Sequence, residues 1–148
     1  MSADQLVFVD SNVLLYSLDS RDPSKRDLAN QWLDALWSAG TGRLSWQVLN
    51  ESYVNATGKL GVRHDAVRRS IELFAEWNTV ETNLSLVRRA WHWVDQSGVN
   101  YWDSLIVAAA EQAGCRWLLS EDFQTGRRFG ALSAVNPFRT APGELLDL

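Results

Sequence analysis

The sequence is poor in the residues that cross-link small secreted proteins or hold structural zinc. Cys115 is the only cysteine among 148 residues, which excludes an intramolecular disulfide and a multi-cysteine zinc site. The hydrophobic content of 46% is that of an ordinary globular protein and provides a core without such cross-links. We therefore expect residues 1–148 to form a single domain, in a reducing compartment such as the cytoplasm.

Long apolar runs are also lacking. The apolar segment that begins at Leu6 is interrupted by Asp10 and Asn12, and no basic segment typical of a secretory signal precedes it. No stretch approaches the roughly 20 apolar residues that a membrane-spanning helix needs. These observations predict a cytoplasmic protein with no membrane partner.

Positive charge is scarce, and histidine is scarcer. The net charge is −4, with a pI near 5.1, whereas proteins that hold nucleic acid by bulk electrostatics are usually basic. Any nucleic-acid contact must therefore come from local clusters. The two histidines, His64 and His92, lie outside the motifs described below, which argues against a ribonuclease mechanism based on paired histidines.

The apolar periodicity predicts an α/β domain with a mostly parallel central sheet, because short apolar strands alternate with helical segments. Strands are predicted at Leu6 to Val9, Leu44 to Trp46, Thr79 to Glu81, Arg116 to Leu119 and Leu132 to Val135. Helices are predicted from Asp22 to Gly40, around Val48 to Ala56, from Asp65 to Ala75, from Ser85 to Gln96 and from Tyr101 to Ala113. The segment after Pro142 is expected to be a short dispensable tail.

Four acidic residues occupy related places in this outline. Asp10 and Asp122 follow predicted strands, and Glu51 and Asp103 lie in the first turns of predicted helices. Sites in open α/β sheets form outside the carboxyl ends of the strands, so the four side chains can converge there. Taken singly, each also has an ordinary explanation as a turn residue, a helix cap or a solvated charge.

Convergence of four carboxylates requires a counter-ion. Two like charges about 5 Å apart repel by roughly 3 kcal/mol at an effective dielectric constant near 20. Ligand sets made only of oxygen favour hard divalent cations such as Mg²⁺ or Mn²⁺. Such ions are also the usual means of attacking a phosphodiester with water. The acids therefore favour a metal-dependent phosphodiesterase.

Five segments carry a family resemblance, in order, over residues 7 to 138: FVDSNVLLY, SWQVLNESYVNAT, YWDSLIVAAA, LLSEDFQTG and NPF. Together they resemble the motifs of PIN-domain ribonucleases, and within that family the chain is most similar to VapC-type toxins. The resemblance implies a PIN-like fold, with a parallel sheet of four or five strands between helices. It also implies an RNA substrate, a small cognate antitoxin that blocks the site, and a homodimer.

The resemblance further implies a role for each acid. Asp10 and Asp103 would be the principal ligands of Mg²⁺ or Mn²⁺, and Glu51 and Asp122 would complete the site for in-line hydrolysis by a metal-activated water. Asn12 and Ser120 are candidates for orienting these ligands. Glu121 beside Asp122 leaves the fourth acid open, although the spelling Ser120-Glu121-Asp122 favours Asp122. Ser11 stands where the family often has threonine.

Basic and aromatic side chains near the motifs are candidate RNA contacts. Arg127 and Arg128 follow Asp122 closely and are candidates for holding phosphate, although such pairs are commonly solvated surface charge. Trp46 and Trp102 flank two of the motifs and could stack on unpaired bases, with core or dimer packing as the more common use of tryptophan.

Competing interpretations are weaker. A receiver domain needs a lysine after its last core strand, where none stands, and a haloacid-dehalogenase-type phosphatase needs a second aspartate at Asn12. The serious alternative is a non-catalytic PIN-fold module that binds RNA or protein. For the antitoxin, we expect an arginine inserted among the carboxylates and a helix held in an apolar groove between the helices before Gly61 and after Asp65.

Overall fold

The computed structural model describes residues 6–146, and within that range it contains five strands and seven helices. The strands are β1 (Val7–Val9), β2 (Gly42–Arg43), β3 (Trp117–Leu119), β4 (Arg128–Phe129) and β5 (Leu132–Val135). The helices are α1 (Ser11–Ser17), α2 (Pro23–Ala39), α3 (Trp46–Gly58), α4 (His64–Phe74), α5 (Leu84–Ser97), α6 (Tyr101–Gln112) and α7 (Pro142–Leu145). The ends of the predicted domain, residues 1–5 and 147–148, lie outside the described range.

The strands form one sheet in the order β2-β1-β3-β5-β4. β1 pairs in parallel with β2 and β3, and β3 pairs in parallel with β5. β4 runs antiparallel to β5 at the edge of the sheet. The predicted α/β class and mostly parallel sheet of four or five strands are confirmed, and the antiparallel edge strand β4 is an addition that the sequence did not indicate.

Two predicted strands are wrong in detail. The segment Leu44 to Trp46 is not a strand, because β2 ends at Arg43 and the Ser45 side chain accepts a hydrogen bond from Val48 N at the start of α3. Ser45 forms an isolated parallel bridge with Val80, which is all that remains of the strand predicted at Thr79 to Glu81. β2 itself holds Gly42, where a Cβ atom would collide with the Trp77 ring.

The starts of three helices bear on the site. α1 begins directly after β1, with Asp10 as its N-cap, and was not predicted. α4 is preceded by Arg63 as its N-cap residue, so the helix begins one residue earlier than predicted and Asp65 lies inside its first turn. α6 is capped by Asn100, whose side chain accepts a hydrogen bond from Asp103 N. Asp103 is therefore not the N-cap of α6, so helix capping does not explain an aspartate at this position.

The core lies on the sheet and on the alanine-rich middle of α6. Its largest fully buried side chain is Trp32, whose Nε1 donates to the carbonyl oxygens of Pro137 and Thr140. Leu146, in the segment after Pro142, is only 6% exposed and belongs to this core, and the dispensability of that segment stays a prediction. Within residues 6–146, every helix is too short or too polar to span a lipid bilayer.

Candidate active site

Asp10 lies at the carboxyl end of β1 and is held by a buried serine. Its backbone N–H donates to Leu119 O of the neighbouring strand β3, which places it beside the segment that follows β3. Ser120 Oγ, in that segment, donates to Asp10 Oδ2 over 2.8 Å. Asp10 Oδ1 accepts from Ser11 N over 2.7 Å. Two parallel strands therefore position Asp10 through one backbone and two side-chain contacts.

Asn12 links this serine to Asp122. Its Nδ2 donates to Ser120 Oγ over 2.9 Å and lies 3.3 Å from Asp122 Oδ2. Ser120 Oγ also accepts from Asp122 N over 3.1 Å. The two residues predicted to orient the acids, Asn12 and Ser120, thus join Asp10 and Asp122 in one hydrogen-bonded network. Buried networks of this kind rigidify the groups they connect.

Glu121, unlike the four acids of the cluster, is paired with a lysine. Its Oε2 forms an ion pair with Lys25 Nζ over 3.0 Å, and Lys25 Nζ also lies 3.3 Å from Tyr16 Oη. Glu121 also lines a cavity of about 290 Å³ beside α1, together with Asn12 and Tyr16. The Asn12 amide group reaches the carboxylate of Asp122, whereas it contacts Glu121 only at the backbone N–H, so the geometry supports Asp122 as the fourth acid of the cluster.

Glu51 and Asp103 come from α3 and α6, and each is held by neighbours that the sequence did not single out as ligand-orienting residues. Glu51 Oε2 accepts from Ser11 Oγ over 3.0 Å, and Glu51 Oε1 accepts from Gln47 Nε2 over 2.9 Å. Asp103 Oδ2 accepts from Asn100 Nδ2 over 2.9 Å. A glutamine one helical turn before Glu51 and an asparagine at the cap of α6 are the signals that could have indicated them.

Two of the four carboxylates, Asp10 and Asp103, have a raised pKa, and the negative charges of Glu51 and Asp122 contribute to both shifts. Burial, as the largest cause, raises the pKa of Asp10 to about 7, and the negative charges of Asp122 and Glu51 raise it further against the hydrogen bond from Ser120. Burial likewise raises the pKa of Asp103, with Asp122 and Glu51 adding to the shift against the hydrogen bond from Asn100. The two helix-borne and two strand-end acids therefore share one electrostatic environment.

None of these four acids has a cationic partner among residues 6–146. The ion pairs in this range join other acids to arginine or lysine. Asp10 is only 3% exposed, so its charged form is both desolvated and unpaired. Such an arrangement is costly even for a helix N-cap, because buried charges in proteins are ordinarily paired or bound to a metal.

The donor chemistry of this cluster fits a hard divalent cation, since all four groups present carboxylate oxygens. The side chains are not gathered around one point, however. Among the described residues no three Asp, Glu, His or Cys side chains lie in a metal-binding arrangement. Joint coordination of an ion by these acids therefore requires some of the side chains to turn.

Residues 7–128 match the model of the PIN domain family. The chain belongs to the PIN-domain family. The match begins at β1, ends at the start of β4 and contains all four acids. No curated protein is similar enough in sequence to count as a relative.

The fold of this PIN domain is similar to that of a solved toxin. The crystal structure of Mycobacterium tuberculosis VapC20, a toxin that cleaves the sarcin–ricin loop, superposes with a TM-score of 0.60 at 19% sequence identity. The alignment covers 76% of this chain and 86% of VapC20. This likeness confirms the PIN-like fold that the sequence motifs indicated.

The basic residues suggested as phosphate contacts lie on the β4 side of the PIN domain. Arg127 Nη2 donates to Ser97 O at the end of α5, and its guanidinium lies 5.2 Å from the Phe129 ring centroid. Arg128 is exposed on the edge strand β4. Arg127 is thus partly engaged, whereas Arg128 is open to solvent. Their role in RNA binding stays a prediction.

Proposed function

We propose that this PIN domain is a metal-dependent endoribonuclease that hydrolyses RNA phosphodiester bonds. The observation that carries the proposal is the cluster formed by Asp10, Glu51, Asp103 and Asp122. These acids come from four separate segments and are electrostatically coupled, and within residues 6–146 they have no salt-bridge partner. A site without a positively charged side chain of its own is suited to bind Mg²⁺ or Mn²⁺, which would supply the positive charge.

In this proposal, Asp10 and Asp103 are the principal metal ligands, and Glu51 and Asp122 complete the site. When bound, the ion supplies a nucleophilic water near neutral pH and neutralises charge on the scissile phosphate. The protein contributes orientation through hydrogen bonds. Ser120 holds Asp10, Asn12 holds Asp122, Ser11 and Gln47 hold Glu51, and Asn100 holds Asp103.

We further propose that the protein is the toxin of a toxin–antitoxin pair, with RNA as its substrate and a homodimer as its assembly. VapC20, which shares the fold, is described as a toxin that cleaves the sarcin–ricin loop. A small antitoxin would block the site by inserting an arginine among the carboxylates. Val54 of α3 and Leu73 of α4 are large exposed apolar side chains, consistent with an antitoxin helix held between these two helices.

A cleavage assay on the purified chain tests the nuclease. Structured and single-stranded RNAs are incubated with the protein in EDTA, and then with Mg²⁺ or Mn²⁺ restored. Cleavage that depends on added metal and leaves defined fragments is the expected result. Metal-independent cleavage would contradict the mechanism. Metal-dependent cleavage that persists in the Asp103→Asn variant would contradict the assigned site.

One observation favours a second candidate, a PIN-fold module that binds RNA or protein without turnover. The described residues contain no preformed group of three metal-binding side chains. If this module is the true function, RNA will bind and remain intact in Mg²⁺ and in Mn²⁺. If the protein cleaves any RNA, and the cleavage rate falls in the Asp10→Asn variant, the non-catalytic module is rejected.

Expression in a bacterial host tests the toxin assignment. The chain expressed alone is expected to arrest growth, and the Asp10→Asn variant made to the same level is expected to be harmless. Co-expression of the small protein encoded beside it should restore growth. Normal growth with abundant wild-type protein, together with no adjacent small gene, would contradict the toxin assignment.

A further inference from the structure

Two tryptophans beside the acidic cluster are exposed to solvent, although large apolar side chains are usually buried. Trp102 is 65% exposed and Trp46 is 40% exposed, whereas Trp32 is fully buried in the core. An indole ring exposes a large apolar surface, and leaving it in water gives up the stabilisation that burial would provide. Core packing therefore does not explain Trp102, nor much of the Trp46 ring.

Both side chains stand at the start of a helix that supplies a site acid. Trp46 is the first residue of α3, which carries Glu51, and Trp102 directly precedes Asp103 in α6. Gln47 Nε2 joins the two helix starts, because it donates to Glu51 Oε1 and also lies 3.2 Å from Trp102 O. The two indoles thus border the same cluster of carboxylates. The Trp102 ring is in turn braced edge-on by Tyr101 at 5.4 Å.

Charge limits how this site can hold RNA. The chain carries a net charge of −4, and no salt bridge brings a cation to the four acids within the described residues. Attraction to the phosphate backbone is consequently weak around the site. Stacking of unpaired bases on aromatic rings does not depend on net charge and contributes about 1–3 kcal/mol per base.

We propose that Trp102 and Trp46 are stacking platforms that select unpaired bases at the cleavage site. The inference rests on the proposed ribonuclease function and adds to it the two side chains that hold unpaired bases beside the scissile bond. A duplex offers no free base face to these rings, so it is a poor ligand.

Binding of matched oligonucleotides tests the platforms. All proteins carry Asp10→Asn so that the RNA stays intact, and binding is followed in Mg²⁺ by fluorescence anisotropy at several salt concentrations. The probes are a labelled single-stranded RNA of about 12 nucleotides, within the span that one such surface covers, and an abasic oligomer with the same backbone. The variants are Trp102→Leu, Trp102→Phe and Trp46→Leu.

Trp37→Leu serves as the control. Trp37 is 43% exposed, like Trp46, but it lies near the end of α2 and packs against Phe74 and Trp77. The chain passes from there into the amino end of β2, at the edge of the sheet opposite the acids. Trp37→Leu therefore removes a similar exposed indole at a distance from the site.

We expect Trp102→Leu to weaken binding of the RNA at least about five-fold, the lower limit for one stacked base, with the salt slope unchanged. Trp102→Phe should weaken it less, Trp46→Leu should act in the same direction, and Trp37→Leu should have no effect. No variant should change binding of the abasic oligomer. Equal weakening on both probes, unchanged RNA binding, or a Trp102→Leu effect confined to oligomeric state would overturn the proposal.

The outcome separates the two proposals. If wild-type protein cleaves RNA, but Trp102→Leu binds RNA as well as its Asp10→Asn parent and, made without Asp10→Asn, cleaves RNA as well as wild type, only the stacking platform is rejected. If wild-type protein never cleaves RNA but Trp102→Leu selectively weakens binding of the base-bearing oligomer, only the nuclease is rejected.

Discussion

Two acids at the carboxyl edge of the sheet differ from two arginine-paired acids elsewhere in the direction in which the fold shifts their pKa. Asp19 accepts hydrogen bonds from the Arg21 side chain, and these bonds lower the pKa of Asp19. Asp65 is held by Arg63 in the same way, and its pKa is also lowered. In Asp10 and Asp103 the pKa is raised, first by burial and then by neighbouring negative charge.

This difference separates acids whose negative charge stabilises the folded protein from acids whose negative charge destabilises it. The charged form of Asp19 or Asp65 is favoured in the folded protein, so each pair contributes to stability at neutral pH. The charged form of Asp10 is disfavoured, so the folded protein bears an electrostatic cost at neutral pH. A cation that binds the four site acids would remove this cost, whereas Asp19 and Asp65 already have their cations.

The largest effect is expected in catalysis. Asp10→Asn and Asp103→Asn should each lower RNA cleavage by more than about 100-fold, since even residues that only orient a metal ligand typically cost 10–100-fold. Asp65→Asn is the matched control, because it removes one negative charge from an arginine pair outside the site. Its cleavage rate should equal that of wild type. Similar decreases in all three variants would erase the distinction between the two kinds of acid.

Ser120→Ala tests the network that holds Asp10. Ser120 is fully buried, and its Oγ donates to Asp10 and accepts from Asn12 Nδ2 and Asp122 N. The variant leaves these groups without their partner, so we expect the unfolding free energy to fall by about 1–3 kcal/mol. Urea denaturation measures it, with Ser17→Ala, which breaks a single bond to Leu14 O, as the milder control. A decrease no larger than in the control would contradict the network.

The pH dependence of stability tests the raised pKa of Asp10. Its pKa is about 7 in the folded protein and near 3.8 without the fold, so between pH 4 and 7 the folded state holds more protons than the unfolded state. Stability without metal should therefore fall as pH rises through this window, by up to about 1.4 kcal/mol per pH unit.

The control for this measurement is Asp10→Asn, in which this contribution is absent. Subtracting its unfolding free energy from that of wild type at each pH cancels the opposite contribution of paired acids such as Asp19. The difference should decline from pH 4 to pH 7 and then level off. A difference that rises over this window would mean that Asp10 behaves like an arginine-paired acid.

The smallest effect concerns Arg127 and Arg128. Replacing both with alanine should weaken RNA binding and reduce the slope of log affinity against log salt by about 0.7 for each single-strand phosphate that the arginines neutralise. Because Arg127 also donates to Ser97 O, melting curves of the double variant should be compared with wild type first. Weaker binding at an unchanged slope would assign the effect to altered structure and not to phosphate recognition.

The strand ends and their acids could be predicted from the sequence because they depend on local pattern. The run Val7–Val9 is apolar on both faces, as a central parallel strand requires, so Asp10 marks its end without any tertiary information. The same reasoning places Ser120 and Asp122 after β3. Since parallel strands end at one edge, the gathering of these residues followed from the topology.

The missed elements are those that tertiary pairing defines. β2 is only Gly42–Arg43, which has no β-forming pattern and exists because Gly42 pairs with Val7. α1 spans two turns directly after β1, so its apolar residues merge with those of the strand and no turn signal separates them. β4 likewise has two residues and is defined by its pairing with β5.

The contacts that orient Glu51 were equally hidden. Ser11 lies forty positions before Glu51 in the chain, and only the packing of α1 on α3 brings its hydroxyl to the carboxylate. The exposure of Trp102 was hidden for a different reason. Hydrophobicity predicts burial, and sequence alone does not show that the first turn of α6 opens onto the acidic cluster.

Melting curves with and without metal test the central claim most directly. Without metal, Asp10→Asn and Asp103→Asn should melt no lower than wild type, because each removes a repelling charge and nearly preserves the shape of the side chain. After solvent screening, the expected gain in unfolding free energy is about 1 kcal/mol. Mg²⁺ or Mn²⁺ should raise the melting temperature of wild type by binding the folded site, and both variants should lose most of that rise. Variants that are less stable without metal, yet keep the full metal-induced rise, would contradict a cation site built from these four acids.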